Sequence, residues 1–477
     1  MNKPLPSAIL DGSETILPEN MAAAPQHKNV QRLLQGPIAP TLARLAAPNM
    51  VGFLVGSGVM VAEMWFVGQL GTHALAGLAL GYPLYMLVMM LSAGALGGAM
   101  AAAVARAIGA GLTRKAEDLG WHAIIIAIAV AGLFAVVYLL FGGAFYRLLG
   151  GAGDSLAAAI AYSDVVLVGG AAIWLSNTLS SILRGGGDMK TPTLAMLGAA
   201  ALQIPLGGAL ALGWGPFPEM GIAGVAWAAL IAFGASSLFL AVRLFSGRSG
   251  IRLHPVPPAL QWGLFREILA VGGVASLSPI LTVTTVVLLT ALVSRFGEAA
   301  LAGLAIASRL EFLLIPIIFG IGAAMIAMVG ANMGAGQLAR AHCIGWTGGL
   351  AAAAIAGAIG TATALWPGAW AGIFTEAEPV RLAAALYLTT VGPFYAFHGL
   401  GLSLYFAAQG AGAVTWPVVF TAVRLVVTAG GGFLAVETFG LGFDALPVVV
   451  AASMVVLGLG NAASVYAGAW RRANAAA

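Results

Sequence analysis

The sequence predicts an all-α integral membrane protein with twelve transmembrane helices in two homologous six-helix lobes. Three observations support this fold class. Hydrophobic residues make up 60% of the 477 residues and charged residues only 8%, against roughly 25% charged residues in a soluble domain. Twelve apolar segments are each long enough to cross a bilayer, which needs about 20 residues. Two short motifs recur half a chain apart, so the two halves follow one plan.

The twelve spans are placed by hydropathy. The longest polar interruption, 245–264, contains three prolines and is the predicted linker between an N-terminal lobe, 37–244, and a C-terminal lobe, 265–472. The tails 1–36 and 473–477 are predicted to be cytoplasmic. The approximate limits of the spans are 45–69, 78–104, 121–142, 156–179, 192–213, 221–243, 268–294, 303–330, 344–366, 382–408, 415–435 and 445–468.

An internal repeat links the halves. Leu-Ala-Gly-Leu-Ala at 75–79 recurs at 301–305, and Gly-Ala-Gly at 109–111 recurs at 334–336. The offset is 226 residues for the first pair and 225 for the second. Repeated membrane halves are the plan of many transporters, in which the substrate path lies between the repeats.

Basic residues concentrate on one side of the predicted bundle. By the positive-inside rule that side faces the cytoplasm, which predicts a multi-pass protein of the cell's inner (plasma) membrane with both termini cytoplasmic. Their dispersal among short loops beside anionic lipid argues against a nucleic-acid partner. The single cysteine, Cys343, excludes an internal disulfide and has no metal-ligand spacing. The basic loop residues are Arg106, Arg114, Lys115, Arg184, Lys190, Arg243, Arg248, Arg252, Arg266 and Arg340.

Short motifs add a family resemblance. They are Leu45-Ala46-Ala47-Pro48, Trp65-Phe66-Val67-Gly68, Gly109-Ala110-Gly111, Leu183-Arg184-Gly185-Gly186-Gly187-Asp188 and Arg309-Leu310-Glu311. In the order of these motifs over two halves, the chain resembles the multidrug and toxic compound extrusion (MATE) family of the MOP flippase superfamily, from Pro40 to Arg472. The resemblance implies a central V-shaped cavity and export of organic, cationic or amphipathic drug-like compounds in exchange for H⁺ or Na⁺. We expect no cofactor and a monomer.

Glu63 is the main candidate for cation coupling. It is the only charge between Arg44 and Arg106, and it lies eight residues before Gly71 at the end of the first span, a depth of roughly 12 Å. An ionised side chain near mid-membrane costs ~3 kcal/mol or more, so Glu63 must face protein or water. Desolvation favours its protonated form. In the family this position is commonly a coupling Asp; a structural carboxylate is the alternative.

His398 and Gln203 are the other coupling candidates. His398 lies in the tenth span, where proton-coupled relatives often have an acid. A histidine binds a proton near neutral pH but is a poor Na⁺ ligand, although packing is an alternative role. Gln203 and Gly207 stand where the family often has an Asn/Asp pair, and the loss of those oxygens favours H⁺ over Na⁺.

Four residues are candidates for substrate binding. Glu311 in the eighth span can attract a cationic substrate or pair with Arg424 of the eleventh span. Thr282 stands where some relatives have a carboxylate, although such hydroxyls more often bond between helices. Tyr85 can stack on a flat organic cation or anchor its helix at the interface.

Three other functions remain open at this point. A lipid-linked oligosaccharide or lipid flippase on the same scaffold would need more mid-span Arg or Lys for a pyrophosphate headgroup. A membrane enzyme would need a clustered catalytic set, and the sequence has no P-loop or metalloprotease pattern. A transport-inactive, receptor-like relative is the third. We expect a transporter and not an enzyme.

Overall fold

The computed structural model describes residues 25–247 and 251–471, and these are almost entirely helical. A π-helical turn, Met90–Ala95, joins the third helix to the fourth. The helices of the first half are α1 (Pro25–Gln35), α2 (Ile38–Gln69), α3 (Thr72–Met89), α4 (Leu96–Gly109), α5 (Thr113–Leu148), α6 (Gly153–Val168), α7 (Ala171–Gly185), α8 (Lys190–Leu212) and α9 (Ile222–Phe245).

The second half repeats this order with more breaks in its helices. Short 3₁₀ or π-helical turns join several of them, at Ser294–Phe296, Gly392–Phe394, Val426–Gly430 and Leu434–Thr438. The helices are α10 (Trp262–Ala275), α11 (Leu277–Val293), α12 (Glu298–Ser308), α13 (Glu311–Gly334), α14 (Leu338–Leu365), α15 (Pro367–Ala371), α16 (Glu378–Val391), α17 (Tyr395–Ala411), α18 (Thr415–Leu425), α19 (Gly431–Phe433) and α20 (Ala445–Tyr466).

The described helices confirm the predicted number of membrane spans. Eleven helical segments are long and apolar enough to cross a bilayer, and α6 with α7 forms a twelfth that bends by 46°. The bend lies between Val168 and Ala171, at two consecutive glycines, inside the segment predicted as one straight span. α7 then continues to Gly185, so Arg184 belongs to a helix and is buried. The prediction that Arg184 is a loop residue was wrong, because the span ends about two turns later than its hydropathy indicates.

The internal repeat is visible in how the helices pack. A Cβ at Gly77 of α3 would meet the backbone of Ala159 on α6. At the equivalent place in the other half, a Cβ at Gly303 of α12 would meet the backbone of Ala384 on α16. Small residues allow membrane helices to approach this closely, so the repeated glycines fix equivalent helix pairs in both lobes.

The two lobes meet on one side of the bundle, which we call the basic side; α4, α7, α9 and α13 all end there. A Cβ at Gly109 of α4 would meet the carbonyl oxygen of Ala331, and a Cβ at Gly334 of α13 would meet that of Arg106. These reciprocal contacts of α4 with α13 form the basic-side seal. The lobes therefore join at the predicted cytoplasmic side, as the arms of a V meet at its point.

Arg106 adds polar contacts to this seal. Its Nη1 donates to the carbonyl oxygen of Gly410 at 3.3 Å, and its Nη2 lies 3.9 Å from Oε1 of Glu267 on α10. Lys115 Nζ is 2.8 Å from Oε2 of the same carboxylate. Both partners of Arg106 belong to the second half of the chain, so this arginine joins the lobes.

Part of the predicted N-terminal tail, 1–36, is an ordered helix. Leu33 of α1 is 1% exposed, and Asn332 Nδ2 of α13 donates to its carbonyl oxygen at 3.0 Å. Arg340 donates to the carbonyl oxygen of Gly36. α1 therefore packs under the basic-side seal, and the assignment of 1–36 as a cytoplasmic tail stays a prediction. Residues 1–24 lie outside the described part of the chain, as does the predicted tail 473–477.

The predicted linker, 245–264, lies against the first lobe where it is described. Leu253 N donates to the carbonyl oxygen of Leu244 at 3.2 Å, and Trp121 Nε1 donates to that of His254 at 3.1 Å. His254 Nε2 also lies 3.1 Å from Oε2 of Glu117. These contacts hold the connection on α5 and α9.

A bulkier residue in the seal should open it. We expect Gly334→Val to push α13 away from α4, because overpacking costs ~1–3 kcal/mol and favours separated lobes. In a Cys343→Ser background with Ala323→Cys as reporter, maleimide labelling from the basic side should rise about tenfold. Gly132→Val on α5 is the control, since no atom lies within 4 Å of its Cβ position. Unchanged labelling in Gly334→Val would contradict the assignment of the seal.

Candidate functional site

The first lobe buries Glu63 against a single amide. α2 and α8 pack closely because Gly52 leaves room for the side chain of Met196. Glu63 is 8% exposed and Gln203 is 5% exposed. Gln203 Nε2 donates to Oε1 of Glu63 at 2.6 Å. The structure thus brings together two of the three residues predicted to couple a cation.

Among the described residues, no ion pair includes the carboxyl of Glu63. Tyr85 of α3 and Tyr162 of α6 lie close enough to interact with its charge, so the predicted substrate residue Tyr85 borders this site. An unpaired carboxylate is unstable in a desolvated place, and the surroundings favour the neutral, protonated carboxyl.

A second polar cluster lies inside the other lobe. Glu311 is the first residue of α13, where the helix dipole stabilises a negative charge. The hydroxyl of Tyr395 donates to its Oε1 at 3.3 Å. Arg424 of α18 is close enough to interact with the charges of both Glu311 and His398. No ion pair joins Arg424 to Glu311 among the described residues, so their pairing stays a prediction.

His398 belongs to this second cluster and not to the Glu63 site. Its buried ring packs edge-on against Tyr395, with 6.4 Å between the ring centroids. His398 thus lies on α17 in the C-terminal lobe, whereas Glu63 bonds within the N-terminal lobe. A coupling role for His398 itself stays a prediction.

Thr282 is half-buried on α11, and its neighbours are satisfied locally. Thr284 and Thr285 donate to the carbonyl oxygens of Ile280 and Leu281, at 2.8 and 2.7 Å. In the described part of the chain no hydrogen bond joins Thr282 to Glu311 or Arg424. The hydroxyls of Thr284 and Thr285 therefore bond within their own helix and not, as was expected, between helices. The substrate role of Thr282 stays a prediction.

Sequence reasoning missed two charged residues of the lobe interface. Glu267 accepts both Arg106 and Lys115 in the seal, and no sequence pattern marks it. Arg184 is 6% exposed and lines a cavity between the lobes. Alignment of the two repeats would have found Arg184, since it occupies the position of Gln409, 225 residues later. Across the described ranges, no group of three or more His, Cys, Asp or Glu is placed to hold a metal ion.

Comparisons with known proteins agree with this architecture. The family model MatE matches residues 48–208 and 275–434, one segment in each half. The probable multidrug resistance protein NorM of Thermotoga maritima is 26% identical over 409 residues, covering 85% of this chain and 87% of that protein. The FAD transporter of Shewanella oneidensis is 25% identical over 320 residues, covering 66% and 69%.

A solved structure supports the same fold. It is described as a MOP superfamily transporter from Pyrococcus furiosus whose binding pocket has reverse polarity, suggesting a different function. The similarity has a TM-score of 0.86 at 26% identity and covers 94% of this chain and 98% of the other. Such coverage includes both lobes, so the two-lobed arrangement is shared over the whole bundle.

Infrared spectroscopy can test the protonation state of Glu63. We expect infrared spectra near neutral pH to contain the C=O stretch of a protonated carboxyl that disappears in Glu63→Gln. Gln203→Leu removes the donor to Oε1, so the band should persist about one pH unit higher, because such a bond favours the charged form by ~1.5–3 kcal/mol. Gln69→Leu, an exposed position on the same helix, should change nothing. A spectrum that is identical in Glu63→Gln would disprove the assignment.

Proposed function

The chain belongs to the MatE family, and we propose that it is a secondary active efflux antiporter that exports organic compounds in exchange for protons. Family membership supports a membrane transporter, and we propose no enzymatic activity. In this proposal it acts without a cofactor, as a monomer of the plasma membrane with both termini cytoplasmic. Its lobes, 37–244 and 265–472, move against each other.

The observation that carries the proposal is the isolation of Glu63. This carboxyl has one amide donor and no cation, in a lobe interior that stabilises its neutral form. In a conformation that exposes Glu63 to water, the ionised carboxylate is more stable than it is in the buried site. Proton binding therefore has a different affinity in the two conformations, and such a difference is what shifts their populations.

Protons fit the site better than Na⁺ does. Hard cations need several oxygen ligands. Beside Glu63 the nearest polar group is the amide nitrogen of Gln203, which donates to the carboxylate and offers no oxygen at that contact. The missing Asn/Asp pair of the family, replaced by Gln203 and Gly207, points the same way. We therefore assign proton coupling.

The cargo is proposed to be a drug-like, cationic or amphipathic small molecule. The multidrug name of the Thermotoga relative supports export of such compounds. Glu311 in the second lobe would attract a basic group, and Tyr85 would border the path in the first lobe. Arg424 and Thr282 are the other residues of the second lobe that we propose to bind the cargo. Because another relative is named a FAD transporter, the charge of the cargo has to be inferred from this chain's own residues.

Loss of the carboxyl of Glu63 should stop coupling. In proteoliposomes with an imposed pH gradient, Glu63→Gln should reduce efflux of an amphipathic, zwitterionic aromatic dye to the level of protein-free vesicles, because an amide cannot bind and release the proton. Asp164→Asn is the control: this exposed carboxyl of α6 accepts a bond from Tyr138 at 2.7 Å and should transport like the wild type. A Na⁺ gradient, imposed separately, should not drive transport. Full pH-driven efflux in Glu63→Gln would refute the proposal.

A further inference from the structure

A narrow cavity lies between the lobes just inside the basic-side seal. Its walls come from α2, α4 and α7 of the first lobe and from α13 and α17 of the second. The rings of Phe53, Phe319 and Phe406 line it. Of the described residues in its lining, Arg184 alone carries a charge. The cavity is therefore an apolar, aromatic space with one cation.

Arg184 lacks an acidic partner. It is 6% exposed, and in the described part of the chain its guanidinium makes one hydrogen bond, from Nη2 to Sδ of Met196 at 3.6 Å. Nε has no partner there, and no ion pair includes the residue. Cζ lies 5.3 Å from the ring centroid of Phe53. A thioether and an aromatic face stabilise a guanidinium far less than a carboxylate or phosphate, so the charge is uncompensated.

The packing at this position does not require a cation. Arg184 and Gln409 are equivalent in the two repeats, 225 residues apart. Each is followed by a glycine, Gly185 or Gly410, that packs against a backbone carbonyl of α4 or α13. Gln409 fills the position with a neutral amide that donates to the carbonyl oxygen of Gly94 at 3.2 Å. The first repeat thus has a positive charge, that of Arg184, where the second repeat has a neutral side chain. Because this charge is buried without an acidic partner, it disfavours the closed state.

We propose that Arg184 binds an acidic group, a carboxylate or a phosphate, of the transported compound, whose aromatic body packs on the phenylalanine rings. This rests on the proposed transport function and adds an acidic group to its amphipathic cargo, so aromatic zwitterions fit both proposals.

The rings explain how the cargo enters. Phe53 belongs to the first lobe and Phe319 to the second, and their ring centroids are 5.9 Å apart in an edge-to-face contact. Phe319 in turn contacts Phe406, with centroids 4.8 Å apart. Separation of the lobes on the basic side would part Phe53 from Phe319 and expose Arg184 to that side. An acid bound there would neutralise the arginine before the lobes close again.

Binding to the full chain in nanodiscs tests this inference. The probes are naphthoate, naphthalenemethanol and naphthylmethylammonium, which share a ring system and differ in charge. Naphthoate should bind about tenfold more tightly than the alcohol, as expected for one charge-assisted hydrogen-bond pair. Arg184→Gln should remove this preference and Arg184→Lys should keep part of it. Arg266→Gln, an exposed arginine of α10, should keep all of it.

The same titrations separate a cargo site from a site for free anions. Inorganic phosphate and chloride should compete only weakly with naphthoate, since neither packs on the rings. If Arg184→Gln does not fold, Phe319→Leu should weaken naphthoate more than phosphate. Equal binding of acid and alcohol to the wild type, or phosphate binding as tight as naphthoate, would overturn the inference.

Failure here differs from failure of the proposed function. Binding needs no gradient, so a missing acid preference beside intact, Glu63-dependent efflux would refute only the assignment of Arg184. An acid preference in a chain without pH-driven transport would refute only the antiport.

Discussion

An ionised side chain inside a bilayer is stable only where protein or water compensates its charge, and three side chains of this protein meet that demand differently. Arg106 has Glu267 and a carbonyl oxygen of the opposite lobe. Glu63 has one amide, and Arg184 has an aromatic face and a sulfur atom. The compensated charge holds the lobes together. Glu63 and Arg184 have no opposite charge beside them among the described residues. Binding of a proton to Glu63, or of an acidic group to Arg184, would therefore change the free energy of burying that side chain. A ligand can shift a conformational equilibrium only if it binds the two conformations with different affinity.

The basic-side seal follows from the duplication of the chain. Because the halves are related by a pseudo-symmetry, one favourable contact appears twice: Gly109 meets Ala331, and Gly334 meets Arg106. A glycine in each half allows backbones to touch, which side chains would prevent. Closure therefore includes two equivalent backbone contacts, to which Arg106 and Lys115 add charged links through Glu267. A seal built on close packing can separate as a unit without leaving many buried polar groups unpaired.

Much of this could be predicted from the sequence, but not all of it. Hydropathy placed the spans, because each must be apolar over its whole length, and the isolation of Glu63 among apolar residues marked it. Gln203 followed from the family resemblance. The bend at the glycines after Val168 was missed because hydropathy measures how apolar a segment is and does not report the direction of the helix axis. Arg184 was misplaced because a charge near the end of a span is buried or exposed according to one or two turns of helix. The separation of His398 from Glu63 depends on which lobe each helix packs into, and no local pattern encodes that.

The positions of the two uncompensated charges suit exchange in opposite directions. Glu63 lies six residues before the end of α2 at Gln69, away from the basic side, a distance of about 9 Å along the helix. Arg184 lies in the last turn of α7, at the basic side. In the proposed orientation the basic side is cytoplasmic. Arg184, the proposed site for the acidic group of the cargo, is then reached from inside the cell, and Glu63, the proposed site for the proton, is reached from outside. Each ligand then reaches its site in the conformation that is open to the side from which that ligand comes. No conformation exposes both sites to both sides of the membrane at once. This condition allows exchange of the two ligands and prevents a leak.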